Sequence, residues 1–287
     1  MSGKKHRVIG IILGSLLLAS SSLTSAAEPT TRDITKTEKG RAAASAASER
    51  FAMYGVRVGA DQLNVSELAD GSLLVGPAGA VVTKATFRTL ANGSTEVATE
   101  IAIEPTTALP PADPGIMAAS APAWGWVDGG CWARSQNATG WMDVCAHHYK
   151  LFNDVDATYD YWTAHVFGVA EATFPYAFTS AGVGTSRYNG PTQYWVDWAP
   201  RSDSTLNCQP IGLGVSALGF GLSFTHQQCE TWDMTKGTAA AGFNNYWRKG
   251  FFYVTGSRET AMAITTKVKS SRPSYYVSWI WTTDRVG

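Results

Sequence analysis

The chain of 287 residues balances 23 Lys and Arg against 23 Asp and Glu, and 45% of it is hydrophobic. Such a balance offers no basic surface to a phosphate backbone, so nucleic acid drops out as a partner class. The length suits one or two domains with a core of ordinary size.

The first residues have the layout of an export signal. Lys4, Lys5, His6 and Arg7 precede an apolar run at 8–19, and Ser25, Ala26 and Ala27 offer the small residues that a signal peptidase requires. The run is shorter than the ~20 residues of a spanning helix, which argues against an anchor. The expectation is a secreted, extracellular protein cleaved near Ala27, with no stable membrane anchor. Its mature part carries 20 Lys and Arg against 23 Asp and Glu.

Residues 28–103 form the expected N-terminal region. An Ala-rich run predicts a helix that stops at Gly55. Its apolar side is thin, with Phe51, Met53 and Tyr54, so it reads as a loosely attached lead-in or a masking pro-region helix. Beyond it the hydrophobic period becomes two. Val97, Thr99, Ile101 and Ile103 alternate with other residues, and Asn92-Gly93 predicts a type I′ hairpin turn. This segment is expected to be a propeptide-like unit or a packing partner for the C-terminal region.

Five prolines within 104–123 exclude regular helix or central strand, and that stretch is assigned as a linker. Composition shifts beyond it. Residues 124–287 hold all eleven Trp, ten of eleven Tyr and nine of eleven Phe, and their twelve basic and twelve acidic residues cancel. Strands are predicted at 141–152, 159–169, 193–198, 220–228, 260–269 and 275–281, each alternating large apolar residues with others. The predicted fold class is mainly β: an aromatic-rich antiparallel β-sandwich at 124–287, preceded by a small α/β-hairpin region. Two local disulfides are expected, Cys131–Cys145 around the turn at 137–140 and Cys208–Cys229 around a second loop.

Four features could carry function. His147 and His148 are adjacent, so a strand sends them to opposite faces and one metal cannot easily take both. A zinc site would have to recruit His165 or His226 with a carboxylate such as Asp143. No metal and no cofactor is expected. Among the carboxylates, Asp197, Asp203, Glu230 and Asp233 lie beside aromatic residues, a setting that suits a general acid. Asp197, Glu230 and His147 are therefore the catalytic candidates.

The dipeptide Tyr-Trp recurs at 161, 194 and 246. Alternation sends one ring of each pair inward and leaves the other able to stack on sugars. Trp162, Trp195, Trp198 and Trp247 are the candidate contacts. The fourth feature is 204–229, which contains no Asp, Glu, Lys or Arg and alternates with glycine. It reads first as a glycine-rich central strand. A membrane-entering hairpin is the alternative, although a cystine at its base does not by itself permit unfolding and reinsertion.

The favoured function is a non-catalytic extracellular binding module for a glycan or cell-surface polymer, acting through exposed aromatics. An extracellular hydrolase and a membrane-active, pore-forming protein are the alternatives.

Overall fold

The computed structural model describes residues 31–103, 121–136, 138–187, 193–201, 204–236, 242–248, 257–269, 273 and 275–286. The side chains of 186–187, 193, 204–209, 228–236 and 242–248 are not among them. The chain runs β1 (Thr31–Asp33), α1 (Glu38–Met53), β2 (Leu63–Leu68), β3 (Leu73–Pro77), β4 (Ala80–Thr89) and β5 (Thr95–Ile103). It continues as β6 (Ala123–Gln136), β7 (Gly140–Phe152), β8 (Asp160–Ala172), β9 (Tyr176–Arg187) and β10 (Gln193–Ala199). The last elements are β11 (Ser204–Ala217), β12 (Phe220–Lys236), β13 (Gly242–Arg248), β14 (Arg258–Val268) and β15 (Tyr275–Arg285). The fold is mainly β with antiparallel sheets, and each strand predicted from alternation is present.

Two sheets result. The first has the order β1-β2-β3-β6-β7-β8-β14-β10, the second β11-β12-β13-β9-β15-β5-β4. Their facing sides share one apolar cluster. Met142, Val144, Val166, Met262 and Ile264 meet Ile101, Phe178, Val183, Val277, Trp279 and Trp281 there. Arg134 on β6 crosses between the sheets with its side chain wholly buried. It donates to Ala98 O (2.5 Å) and Thr99 Oγ1 (2.8 Å) on β5, and to Asp70 (2.5 Å). An arginine so placed is tolerated because every direction of its fork finds an acceptor.

The strands before 104 belong to both sheets, since β3 pairs with β6 and β5 pairs with β15. The Asn92-Gly93 turn differs from the type I′ expectation. Only Gly93 has a positive φ (85°). Its N–H donates to Leu90 O at 2.9 Å, while Leu90 N–H donates to Ser94 O at 2.7 Å. That is a three-residue loop with a bulge, the next commonest hairpin connection.

The outer face of the first sheet is also covered. Helix α1 starts at Thr37, whose hydroxyl accepts from Gly40 N–H at 3.0 Å. It buries Ala44, Ala47 and Phe51 against Leu63, Val65 and Val75. Arg50 binds Asp143 through Nε (2.7 Å) and Nη2 (3.0 Å) while lying 4.6 Å over the Trp141 ring. The apolar side of the helix is thin, as the sequence indicates, and this bidentate pair supplements it.

Beside α1 lies the hairpin of β11 and β12. Their register runs from Ser204↔Trp232 to Ala217↔Phe220. Among the described residues, β12 pairs with β13 over Thr231–Lys236. Residues 206–217 and 220–230 therefore form a two-stranded arm, and its Leu213 and Val215 join the cluster with α1 on the outer face. The uncharged run is thus an edge arm rather than a central strand.

Cys131 and Cys145 are bonded and sit directly opposite each other on β6 and β7. One disulfide of the expected two is seen. Cys208 and Cys229 fall where the β11–β12 register shifts, between Leu206↔Glu230 and Gln209↔Gln228, and their side chains lie outside the described residues.

Candidate functional site

Two cavities meet at His147. A cavity of about 610 Å³ is walled by Tyr54, Tyr149, Phe167 and Phe224, with His165 and His226 behind them and Glu259 at its rim. A second cavity, of about 410 Å³, is lined by Val56, Arg57, Leu63, Pro77 and Trp126. His147 lines both, so they adjoin across its ring. The end of α1 borders both as well, through Met53 and Tyr54 on one side and Gly55 and Val56 on the other.

Strand geometry places these groups. His147 on β7 is directly opposite His165 on β8. Phe167 lies two residues further along the same face, and Phe224 and His226 reach it from the arm. His165 stacks on Phe224 with centroids 3.9 Å apart and planes 3° from parallel. His165 Nε2 is 2.7 Å from His226 Nε2, and His226 Nδ1 contacts a Glu259 carboxylate oxygen. The carboxylate can only accept, so His226 Nδ1 donates to it. Between the two Nε2 atoms one nitrogen donates and the other accepts, and the buried Nδ1 of His165 finds no partner among the described residues.

Burial and the neighbouring imidazoles shape the titration. Desolvation, then His148 and His226, hold His147 at about 4. Burial pushes His165 well below the ordinary 6.5, with His226 and His147 adding to it. On the opposite face His148 is also held at about 4 by burial, and its Nδ1 lies 2.8 Å from Asp128 Oδ1. His147 and His165 therefore present neutral imidazoles at pH 7. Among the described residues no group of three or more His, Cys, Asp or Glu is disposed to hold a metal ion. The Nε2 atoms of His165 and His226 bond each other instead, and Asp143 is engaged by Arg50 and Tyr54.

The candidates named from sequence scatter. His147 is in the groove. Asp197 is buried, with both oxygens taken: Oδ1 accepts from Arg201 (2.5 Å) and Trp198 N–H (2.8 Å), Oδ2 from Ser216 N–H (2.9 Å) and Oγ (3.1 Å). It ties β10 to the arm, and no oxygen is left for a substrate. Trp162 is 2% exposed and packs with Val127 and Val268. Its partner Tyr161 is buried too, against Ala217 on the opposite face. Trp195 and Trp198 pack, half-buried, against the inter-sheet cluster. Glu230 and Trp247 lie on β12 and β13, with side chains outside the described residues.

Two groove residues escaped the sequence reading. Trp126, 57% exposed, is one of them. The alternation of Trp124, Trp126 and Cys131 around glycines hinted at it, but the bulge between Trp126 and Asp128 breaks the period. Glu259 is the other. Its tie to His226 joins residues 33 apart on different sheets, and nothing local announces it.

No family model matches the chain, and no curated protein matches it. Among solved structures, one titled "Pore forming protein" is similar at 7% identity and a TM-score of 0.34, covering 69% of this chain and 86% of that one. A likeness at that level carries no argument about this chain.

Proposed function

We propose that this is a secreted, non-catalytic recognition protein that takes a neutral glycan chain into the groove around His147, on a two-sheet β-sandwich frame. The observation that carries this reading is the junction of two open cavities at one neutral imidazole, with Trp126 exposed beside it. Together they exceed the space that one small molecule fills, which suits successive units of a polymer. Trp126 lines one cavity and Tyr149 the other, opposite each other on β6 and β7, and aromatic rings are the surfaces on which a sugar's C–H face packs. Gln227 and Glu259 line the larger cavity with hydrogen-bonding groups suited to hydroxyls.

A catalytic reading has less support. Hydrolysis of a glycan needs one carboxyl to give a proton and a second to activate water or attack. Asp197 has both oxygens engaged, and Glu259 is tied to His226.

The test is retention of the mature chain on insoluble polysaccharides. Trp126→Ala should weaken retention about tenfold, equivalent to roughly 1.4 kcal/mol. Phe174→Ala, at a ring 87% exposed and outside the groove, should leave it unchanged. Failure to bind any neutral polysaccharide, or equal loss in both variants, contradicts the proposal.

A further inference from the structure

The arm of β11 and β12 is not explained by the groove. Among the described residues its pairing with β13 ends at Thr231, and it lies on the outer face of the first sheet, its two strands pairing with each other over 206–217 and 220–230. Its described side chains alternate without exception. Leu213, Val215, Ala217 and His226 are buried and Ile211, Phe220, Leu222 and Phe224 half-buried, so that one histidine interrupts the apolar face, while Gly212, Gly214, Ser216, Ser223, Thr225 and Gln227 face solvent. No Asp, Glu, Lys or Arg occurs from 204 to 229. Exposed edges of sheets ordinarily carry charge, which blocks unwanted pairing. This one carries tiny uncharged groups instead.

The tip breaks a second rule. Ala217 pairs with Phe220 across Leu218 (φ 52°) and Gly219 (φ 86°), a two-residue turn with both centres left-handed. Asn-Gly is the usual choice there, because a leucine side chain disfavours that backbone. Leu218 occupies the position nevertheless and is 45% exposed. In water this residue costs both conformation and hydration. At the leading end of a segment that enters hydrocarbon, an apolar tip is what passage requires.

Beneath the arm lie Ala133, Ala199, Ala261 and Ala263 with the Cys131–Cys145 pair, and the larger Phe167, His165, Tyr149 and Tyr161 pack against its Phe224, His226 and Ala217. Its polar ties among the described residues are Asp197 to Ser216, His165 and Glu259 to His226, and Trp124 Nε1–H to Phe220 O at 2.9 Å.

We propose that the β11–β12 arm enters a lipid bilayer as a paired hairpin, its apolar face toward the acyl chains and its Gly/Ser/Thr face toward water. Each strand reaches the ~9–11 residues that a tilted transmembrane strand needs. The apolar-out, polar-in dyad is that of a membrane barrel strand. A lone hairpin leaves unpaired edges in hydrocarbon, so several copies must close on one another. The smallest barrels have about eight strands, which sets at least about four copies. This activity does not depend on what the groove binds.

Dye release from phosphatidylcholine vesicles containing phosphatidylglycerol tests it, using the mature chain at micromolar concentration. Release should rise steeply with protein concentration. Leu218→Asp should lower it at least tenfold. Aspartate suits the left-handed turn, so the soluble fold should unfold at an unchanged temperature. Gly214→Lys, facing solvent where a Cβ meets nothing within 4 Å, should keep release and shift the pore toward anions. No release, or release that Leu218→Asp leaves unchanged, overturns the proposal. Loss of glycan retention with release intact would strike only the groove.

Discussion

His165 shows how neighbours decide the chemistry of a ring. It is pressed between Phe224 and Phe167, and its Nε2 shares a single proton with His226. A second proton between these nitrogens would set two N–H groups against each other across 2.7 Å in a buried setting. His147 is held neutral by the same burial. The unfolded chain returns both rings to an ordinary 6.5, so below that pH it binds more protons than the folded chain. Stability should therefore fall with pH by about 1.4 kcal/mol per unit for each histidine, until the folded group titrates. For His147 that window closes at about 4. Urea unfolding at pH 7 and 5.5 should show the loss, with imidazole NMR reporting neutral rings at pH 5.5. An imidazole signal from His147 titrating near 6.5 would contradict the geometry. Of these residues, His147 was legible because its strand could be drawn from period two. Its neighbours His165, His226 and Glu259 converge only through the arm and the sheet stacking.

At the scale of elements, alternation located the strands well, because a strand with one packed face repeats every second residue. It could not say whether the second face was also covered. Tyr161 and Trp162 show the consequence. One ring faces the arm and the other packs against Val127 and Val268, so neither is free to stack on sugar. The same blindness affected 204–229, where glycine alternation suited a central strand equally with an edge arm. Cysteine spacing was more informative. Cys131 and Cys145 sit opposite each other in a hairpin whose turn was visible in sequence, and the bond closes a loop with a separation of 14. Cys131→Ala with Cys145→Ala should cost about 3 kcal/mol, read as a lower urea midpoint at similar slope. Because the strand ladder does not need the bond, circular dichroism should keep its β signature. Collapse of that signature at pH 7 would mean the bond specifies the pairing rather than supporting it.

For the whole molecule, the first sheet is the frame on which everything else is placed. The second sheet seals one face. Helix α1 and the arm cover the other, and the groove is the gap left between them around His147. That arrangement explains why the Trp-rich composition did not yield an exposed platform. Trp132, Trp162, Trp279 and Trp281 fill the interior, while Trp126 stands at the groove. The two proposed activities share the arm, because its Phe224, His226 and Gln227 line the larger cavity, so membrane entry would open the groove. Hydroxyl-radical footprinting of the mature chain, free and bound to the polysaccharide that retains it, tests the central claim most directly. Trp126 and Tyr149 should become protected on binding, while labelling of Phe174 stays constant. Equal labelling of Trp126 in the free and bound states would contradict recognition through this groove.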